Sequence, residues 1–189
     1  MIGTEGRPFP SWLSFHLNNR FRRRSHPPEI IVQALRLKMT DVVLDFGCGP
    51  GFYTIPFAKN TKEVVAADIQ TKMLRKVSEY AEKNRVKVKV IQSDGQKIPL
   101  PDGSIDLIFL SGVYHELVRK REVLTELKRV LKPIGKIVIR ERTGHYSMGR
   151  PTINLAELSE DLMATGFAVL APTTDPSDDK ATLVAATPK

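Results

Sequence analysis

Residues 42–54 read Val-Val-Leu-Asp-Phe-Gly-Cys-Gly-Pro-Gly-Phe-Tyr-Thr: an apolar run ending beside an acid, then glycines at alternate positions, then residues that can open a helix. Val42, Val43 and Leu44 suit a strand buried on both faces, which confines the fold to a sheet covered on both sides. Asp45, near the carboxyl end of that strand, suits a crevice better than a core. Gly47, Gly49 and Gly51 let the chain turn sharply and bring bare backbone against a ligand, where a Cβ would intrude.

From residue 29 onward, helical and strand patterns alternate without an internal repeat. The pattern predicts helices over 29–37, 52–59, 71–84, 119–131 and 154–165. Pro56 must then lie in the first turn of its helix, Thr71 is a candidate cap, and Pro133 with Gly135 ends the fourth helix. Strands are expected over 42–46, 63–68, 86–91, 105–110, 136–140, 167–170 and 181–186, the last two joined by a polar stretch over 172–180. Lys87 and Lys89 alternate with valines and place the third strand at or near a sheet edge, whereas 105–110 reads as central. Helices of these lengths between strands require right-handed crossovers. The expectation is an α/β, doubly wound, mostly parallel sheet of about seven strands, with ligands at the strands' carboxyl ends.

The 189-residue length, with 41% hydrophobic and 26% charged content, fits one domain with an ordinary core. No run reaches the ~20 apolar residues of a membrane span and no secretory pattern opens the chain, so a cytoplasmic location is expected. Cys48 is the only cysteine, which excludes an intramolecular disulfide and a multi-cysteine zinc site; no metal site is expected. The net charge of +8 is concentrated in part at Arg20, Arg22, Arg23 and Arg24, around Phe21. Such a segment admits a solvated arm or an attraction to nucleic acid or anionic lipid.

The turn over 47–51 admits a dinucleotide or a nucleoside. Against a dinucleotide, the position three after Gly49 is Phe52, and Pro50 lacks the N–H that would help cradle a pyrophosphate. Asp68, about twenty residues beyond the glycines, is placed to accept both hydroxyls of a ribose or to cap the following helix. Asp94, before Gly95, follows the third strand and either meets an adenine amine or makes a turn.

The ordered segments VLDFGCGPG (43–51), AADIQTKML (66–74), SDGQKIPLPDGSIDLIFLSGVYHEL (93–117) and LKPIGKIVIRE (131–141) resemble the class I S-adenosylmethionine-dependent methyltransferases, most of all the ubiquinone and menaquinone methyltransferase group. The resemblance implies a Rossmann-like fold over 29–189, with an N-terminal basic arm or lid over 1–28. It also implies S-adenosyl-L-methionine as cofactor, a small-molecule acceptor and methyl transfer by in-line displacement. On the matching positions, Asp45, Gly47, Cys48, Gly49 and Gly51 would meet the methionine part and Asp68 the ribose. Ile69 and Met73 would flank the adenine, whose amine edge would meet Asp94 and Gly95. Ser111, Gly112 and Val113 would face the sulfonium, with Tyr114 and His115 nearest the substrate.

Orientation alone carries much of a methyl transfer, but a hydroxyl or carbon acid needs a base. His115 is the candidate, its ordinary pKa of about 6.5 suiting proton transfer near neutrality; packing or capping is its other reading. Glu141, His145 and Tyr146 are further candidates for the acceptor side. Trp12, Phe15, His16 and Phe21 suit either an amphipathic lid or a tail. Alternative functions are an RNA or protein methyltransferase recruiting its target through the basic arm, a catalytically silent cofactor-binding subunit, and a nicotinamide-dependent reductase. Neither Asn-Pro-Pro-Tyr nor Asp-Pro-Pro-Tyr occurs, which disfavours amino-methylating adenine enzymes, and one cysteine disfavours arsenite methylation.

Overall fold

The apolar run at Val42–Phe46 (β1) lies inside an eight-stranded sheet. The computed structural model describes residues 17–143 and 152–189, so Trp12, Phe15, His16, His145 and Tyr146 lie outside the described residues. In chain order, Arg20–Ser25 (α1) and Pro28–Leu35 (α2) precede β1. Thr54–Ala58 (α3), Glu63–Asp68 (β2), Thr71–Asn84 (α4), Lys89–Gln92 (β3) and Ile105–Ser111 (β4) follow it. Lys120–Val130 (α5), Leu131–Arg142 (β5), Leu155–Ala164 (α6), Phe167–Val169 (β6), Thr173–Asp175 (β7) and Asp178–Pro188 (β8) complete the fold.

The sheet order is β3-β2-β1-β4-β5-β8-β6, with β7 paired to β8; strands β1 to β5 pair in parallel, and β8 returns antiparallel to β5. Because β2 and β4 flank β1 on opposite sides, the winding direction reverses between β1 and β4. The crevice at their carboxyl ends is the ligand position of such sheets. Side-chain alternation builds two cores. Leu44, Phe46, Val65, Ala67, Ile108, Leu110, Ile137 and Ile139 pack with Val123, Leu124 and Leu127 of α5 and Leu158 and Leu162 of α6. On the other face, Val43, Val64, Leu107, Phe109 and Val138 meet Ile31, Val32 and Leu35 of α2 and Phe57 of α3. Ala66 there meets Leu74 and Val77 of α4.

Several boundaries differ from the periodicity for identifiable reasons. The third strand is at the edge as expected but starts at Lys89, because the Val86 N–H is spent on the Ala81 carbonyl (3.1 Å) at the end of α4. Thr71 is not the cap of α4; that position is Gln70, without a side-chain cap bond. Helix α3 is shorter than expected, with Pro56 inside its first turn, where a missing N–H costs nothing. Strand β5 begins at Leu131 directly after α5, earlier than expected, and takes up Pro133 through a register shift opposite Ile105 and Leu107. The eighth strand comes from the stretch read as a polar connection: β7 folds back on β8, pairing Asp175 with Asp178.

Phe109 of β4 is fully buried, with ring centroids of Tyr53 and Phe57 at 5.0 and 5.3 Å in edge-on geometry. Phe109→Ala should therefore cost about 3–5 kcal/mol, read as a lowered urea midpoint at unchanged slope. An unchanged midpoint would show that this cluster does not hold the helices to the sheet.

Candidate active site

The glycine turn is fixed by its own amides. The N–H groups of Gly47 and Cys48 both donate to the Ala67 carbonyl (2.8 and 3.0 Å), and that of Gly51 donates to the Cys48 carbonyl (3.1 Å). The Gly49 N–H donates to Asp68 Oδ2 (3.0 Å). With Pro50 lacking an N–H, residues 47–51 retain no backbone donor outside these bonds, so the turn is no nest for a pyrophosphate. Gly47 has φ +71°, and a Cβ there would stand 2.3 Å from Val113, whose side chain lies over the turn.

Two acids sit beneath this turn. Asp45 is buried, and Thr54 Oγ1 donates to its Oδ2 at 2.5 Å, which ties the end of β1 to the start of α3. Burial pushes its pKa from the ordinary 3.8 up to about 7; the Thr54 bond opposes the rise and the Asp68 charge adds to it. Asp68, at the end of β2, is also raised by burial, against the bonds its carboxylate accepts from the backbone. Those bonds come from Gln70 (2.8 Å to Oδ1), from Gly49 and from Ile69, so Asp68 braces both the turn and the entry to α4. A carboxylate has roughly four lone-pair sites, which leaves acceptor capacity for a ligand. Cys48 is buried and its thiol is pushed well up by burial, with the charges of Asp45 and Asp68 adding to the rise; this disfavours a thiolate nucleophile.

The remaining cofactor candidates spread along the carboxyl edge. Ile69 is half exposed directly after β2, whereas Met73 is buried in the first turn of α4 and offers no surface. Asp94 is exposed, and its carboxylate accepts from the Gln96 N–H (3.0 Å) and side-chain amide (2.8 Å), forming a turn. Gly95 has φ +88°, and a Cβ would stand 2.7 Å from both Phe46 and Val123, so its lack of a side chain serves packing. Ser111 ends β4, and Gly112 donates its N–H to the Arg140 carbonyl (2.9 Å), carrying β4 into the turn at Tyr114–Glu116.

Tyr114 and His115 part company in that turn. The Tyr114 ring is buried and its hydroxyl donates to Asp161 Oδ2 (2.7 Å), with Arg121 Nε on the other oxygen (2.7 Å). Burial and the Asp161 bond drive the phenol pKa far above its usual value. Tyr114, expected beside the substrate, fastens the turn to α6 through this bond. His115 instead meets Glu141, a residue 2% exposed, through Nδ1 to Oε2 at 3.0 Å, while its backbone N–H donates to Oε1 at 3.3 Å. Burial alone would lower the His115 pKa, but the Glu141 bond and charge, with Glu116 adding, raise it above the ordinary 6.5. A proton held on Nδ1 toward Glu141 leaves the Nε2 lone pair as the basic atom. The sequence offered Glu141 as an acceptor-side candidate or as a surface partner of its arginine neighbours; its pairing with His115 depends on β5 lying beside β4.

The basic segment folds onto the turn. Asn18 Nδ2 donates to the Pro50 carbonyl (2.9 Å) and Arg23 Nη2 to the Phe52 carbonyl (3.1 Å). The guanidinium of Arg22 stands 4.1 Å above the Phe52 ring, and that of Arg23 lies 5.0 Å from the Phe52 ring and 5.2 Å from the Tyr80 ring. Among the described residues, no cluster of His, Cys, Asp and Glu could hold a metal ion.

Residues 44–139 match the family described as methyltransferase domain. A demethylmenaquinone methyltransferase of Paenarthrobacter aurescens is 33% identical over 129 residues, covering 68% of this chain and 47% of that protein. One from Corynebacterium urealyticum is 34% identical over 157 residues, covering 83% and 63%. The chain thus spans roughly half the length of several curated relatives. Among solved structures, a SAM-dependent methyltransferase from Aquifex aeolicus superposes with a TM-score of 0.87 at 29% identity, covering 96% of this chain and 100% of that one. The [4+2]-cyclase SpnF shares the fold at a TM-score of 0.72 and 18% identity, covering 84% of this chain and 80% of that one; the fold alone therefore does not decide the reaction. Together the matched region and the relatives place the sequence: the chain belongs to the methyltransferase-domain family.

Proposed function

We propose that this chain is an S-adenosylmethionine-dependent methyltransferase acting on a small-molecule acceptor that must lose a proton to react, in the cytoplasm. The observation that carries the reading is the glycine turn with its N–H groups spent inside the fold and two buried carboxylates beneath it. Such a site repels a pyrophosphate and suits a cationic nucleoside, because Asp45 and Asp68 are relieved of mutual repulsion by a nearby positive charge. The donor set thus fits S-adenosylmethionine, which supplies an electrophilic methyl on a cationic sulfur that leaves as a neutral thioether.

This chain's residues bind and align. Asp68 accepts the ribose hydroxyls with the lone pairs its backbone partners leave, and the exposed Ile69 supports the adenine, with Asp94 at its edge. Gly47 and Val113 wall the methyl end. The dyad of His115 and Glu141 takes the acceptor proton on Nε2, and the Glu141 carboxylate stabilises the imidazolium that forms. The relatives are named for demethylmenaquinone and for ubiquinone/menaquinone biosynthesis, and the reduced form of a quinone ring carries the hydroxyl groups that a base can deprotonate. Loss of a phenolic proton to His115 would make a ring carbon nucleophilic. An RNA target recruited by the whole basic segment is disfavoured, because Arg22 and Arg23 face inward onto Phe52.

A thermal-shift panel of S-adenosylmethionine, its demethylated product and NAD tests the central claim. At one hundred times the dissociation constant, either sulfur nucleoside should add about 2.7 kcal/mol, roughly 5–10 °C for a chain of this size. A shift with NAD alone would sink the reading. Asp68→Asn, which keeps an acceptor but removes the charge, should weaken S-adenosylmethionine roughly 10- to 100-fold by titration calorimetry. Unchanged affinity would leave Asp68 as a brace only.

The dyad has a readout that needs no acceptor. An NMR titration should place the His115 pKa above 6.5 in the unsubstituted protein and lower in Glu141→Gln. Because the folded-state value exceeds the unfolded one, the pair's stabilisation is complete below about pH 6.5 and fades as pH rises through the raised value. An equal pKa in both proteins would remove Glu141 from the mechanism.

A further inference from the structure

Helix α1 divides its charges between two directions. Arg22 and Arg23 turn inward onto Phe52, whereas Arg20, Phe21 and Arg24 are exposed, Phe21 by 82%. At 100° per residue the three outward side chains share an arc of about 100°. Beside this face, α1 and α4 border an open cleft of about 460 Å3 lined by Arg20, Arg23, Lys76 and Lys83, with Tyr80 as its aromatic wall. The only acid on that lining, Glu79, also lies 3.7 Å from Arg75. Pro50 of the glycine turn forms part of the same wall, so the cleft adjoins the proposed cofactor site without using its residues.

We infer that this face is a docking surface for an anionic phospholipid membrane, with a headgroup phosphate in the cleft and Phe21 at the acyl boundary. Cations about one exposed aromatic match interfacial binding, in which the ring enters the headgroup layer while the charges hold phosphates. Single-stranded nucleic acid would instead want several aromatic faces for successive bases. Phe21 is the only aromatic among the exposed large hydrophobic residues described, and Tyr80 lies beneath Arg23. Among the described residues no helix is long and apolar enough to cross a membrane. The surface does not depend on which acceptor is methylated, and docking would bring the cofactor turn to the bilayer.

Co-sedimentation of the full chain with phosphatidylglycerol and with phosphatidylcholine vesicles tests this, at 0.1 M and 0.5 M NaCl. Binding should favour the anionic vesicles at least tenfold and be released by the higher salt. The double variant Arg20→Gln with Lys83→Gln should lose roughly thirtyfold in partitioning, and Phe21→Ser roughly tenfold. Both variants should keep the S-adenosylmethionine thermal shift, which separates failure of docking from failure of the cofactor reading. Equal binding to both vesicles, or anionic binding untouched by the double variant, would overturn the inference. So would retention of single-stranded RNA or of glycerol phosphate by a protein that ignores vesicles.

Discussion

The double donation from Gly47 and Cys48 to the Ala67 carbonyl is the constraint on which the site rests. It turns the chain off β1 at a single point and pins the turn to the end of β2. Asp68, the next residue of β2, can then reach the Gly49 N–H and consume the turn's remaining loose donor. A turn of similar glycine content with free amides would attract phosphate. Here the same composition yields an electronegative mouth, because the donors face the protein and the carboxylates remain.

Polar burial elsewhere follows one scheme, in which each buried acid fastens two elements. Asp45 joins β1 to α3 through Thr54, Asp161 joins α6 to the Tyr114 turn and α5, and Glu141 joins β5 to the His115 turn. Arg140 joins β5 to Asp175 and Asp178 at the β7–β8 hairpin. Among the described residues, every buried side-chain nitrogen and oxygen has a partner. Buried polar groups without partners would cost about 1–3 kcal/mol each, so these contacts limit how far the turns carrying His115 and the glycines can move. Such rigidity would serve the alignment that the proposed in-line transfer needs more than it needs functional groups.

Much of the fold was legible because its signals are local. Apolar runs, prolines and lysine alternation located β1, β2, the edge strand and the central β4, since each reports the burial of its own side chains. Boundaries were less legible where a backbone donor was diverted, as at Val86, or where a strand absorbed a proline, as at Pro133. The β7 strand escaped notice because a three-residue strand of Thr and Asp has no hydrophobic period to read. For the site, strand ends and spacing singled out Asp45, the glycines and Asp68, and the resemblance placed Tyr114 and His115 near the substrate. It could not separate Tyr114 from His115, adjacent in one turn yet directed to different partners, nor reveal Glu141 as the partner of His115.

The sequence by itself determined a doubly wound sheet with a glycine turn at its switch point and acids at successive strand ends, because strand burial and backbone freedom at glycine are local properties. Tertiary structure decided which amides of that turn were spent, which aromatic was sealed against Asp161, and which carboxylate met His115. It also divided the arginines of α1 between an inward pair and an outward face. The partners in these outcomes lie far apart in the chain: the pairing of β1 with β2 and of β4 with β5 brings the turn amides to Ala67 and Asp68 and His115 to Glu141, whereas the docking of α6 supplies Asp161 and that of α1 sets its arginines over Phe52.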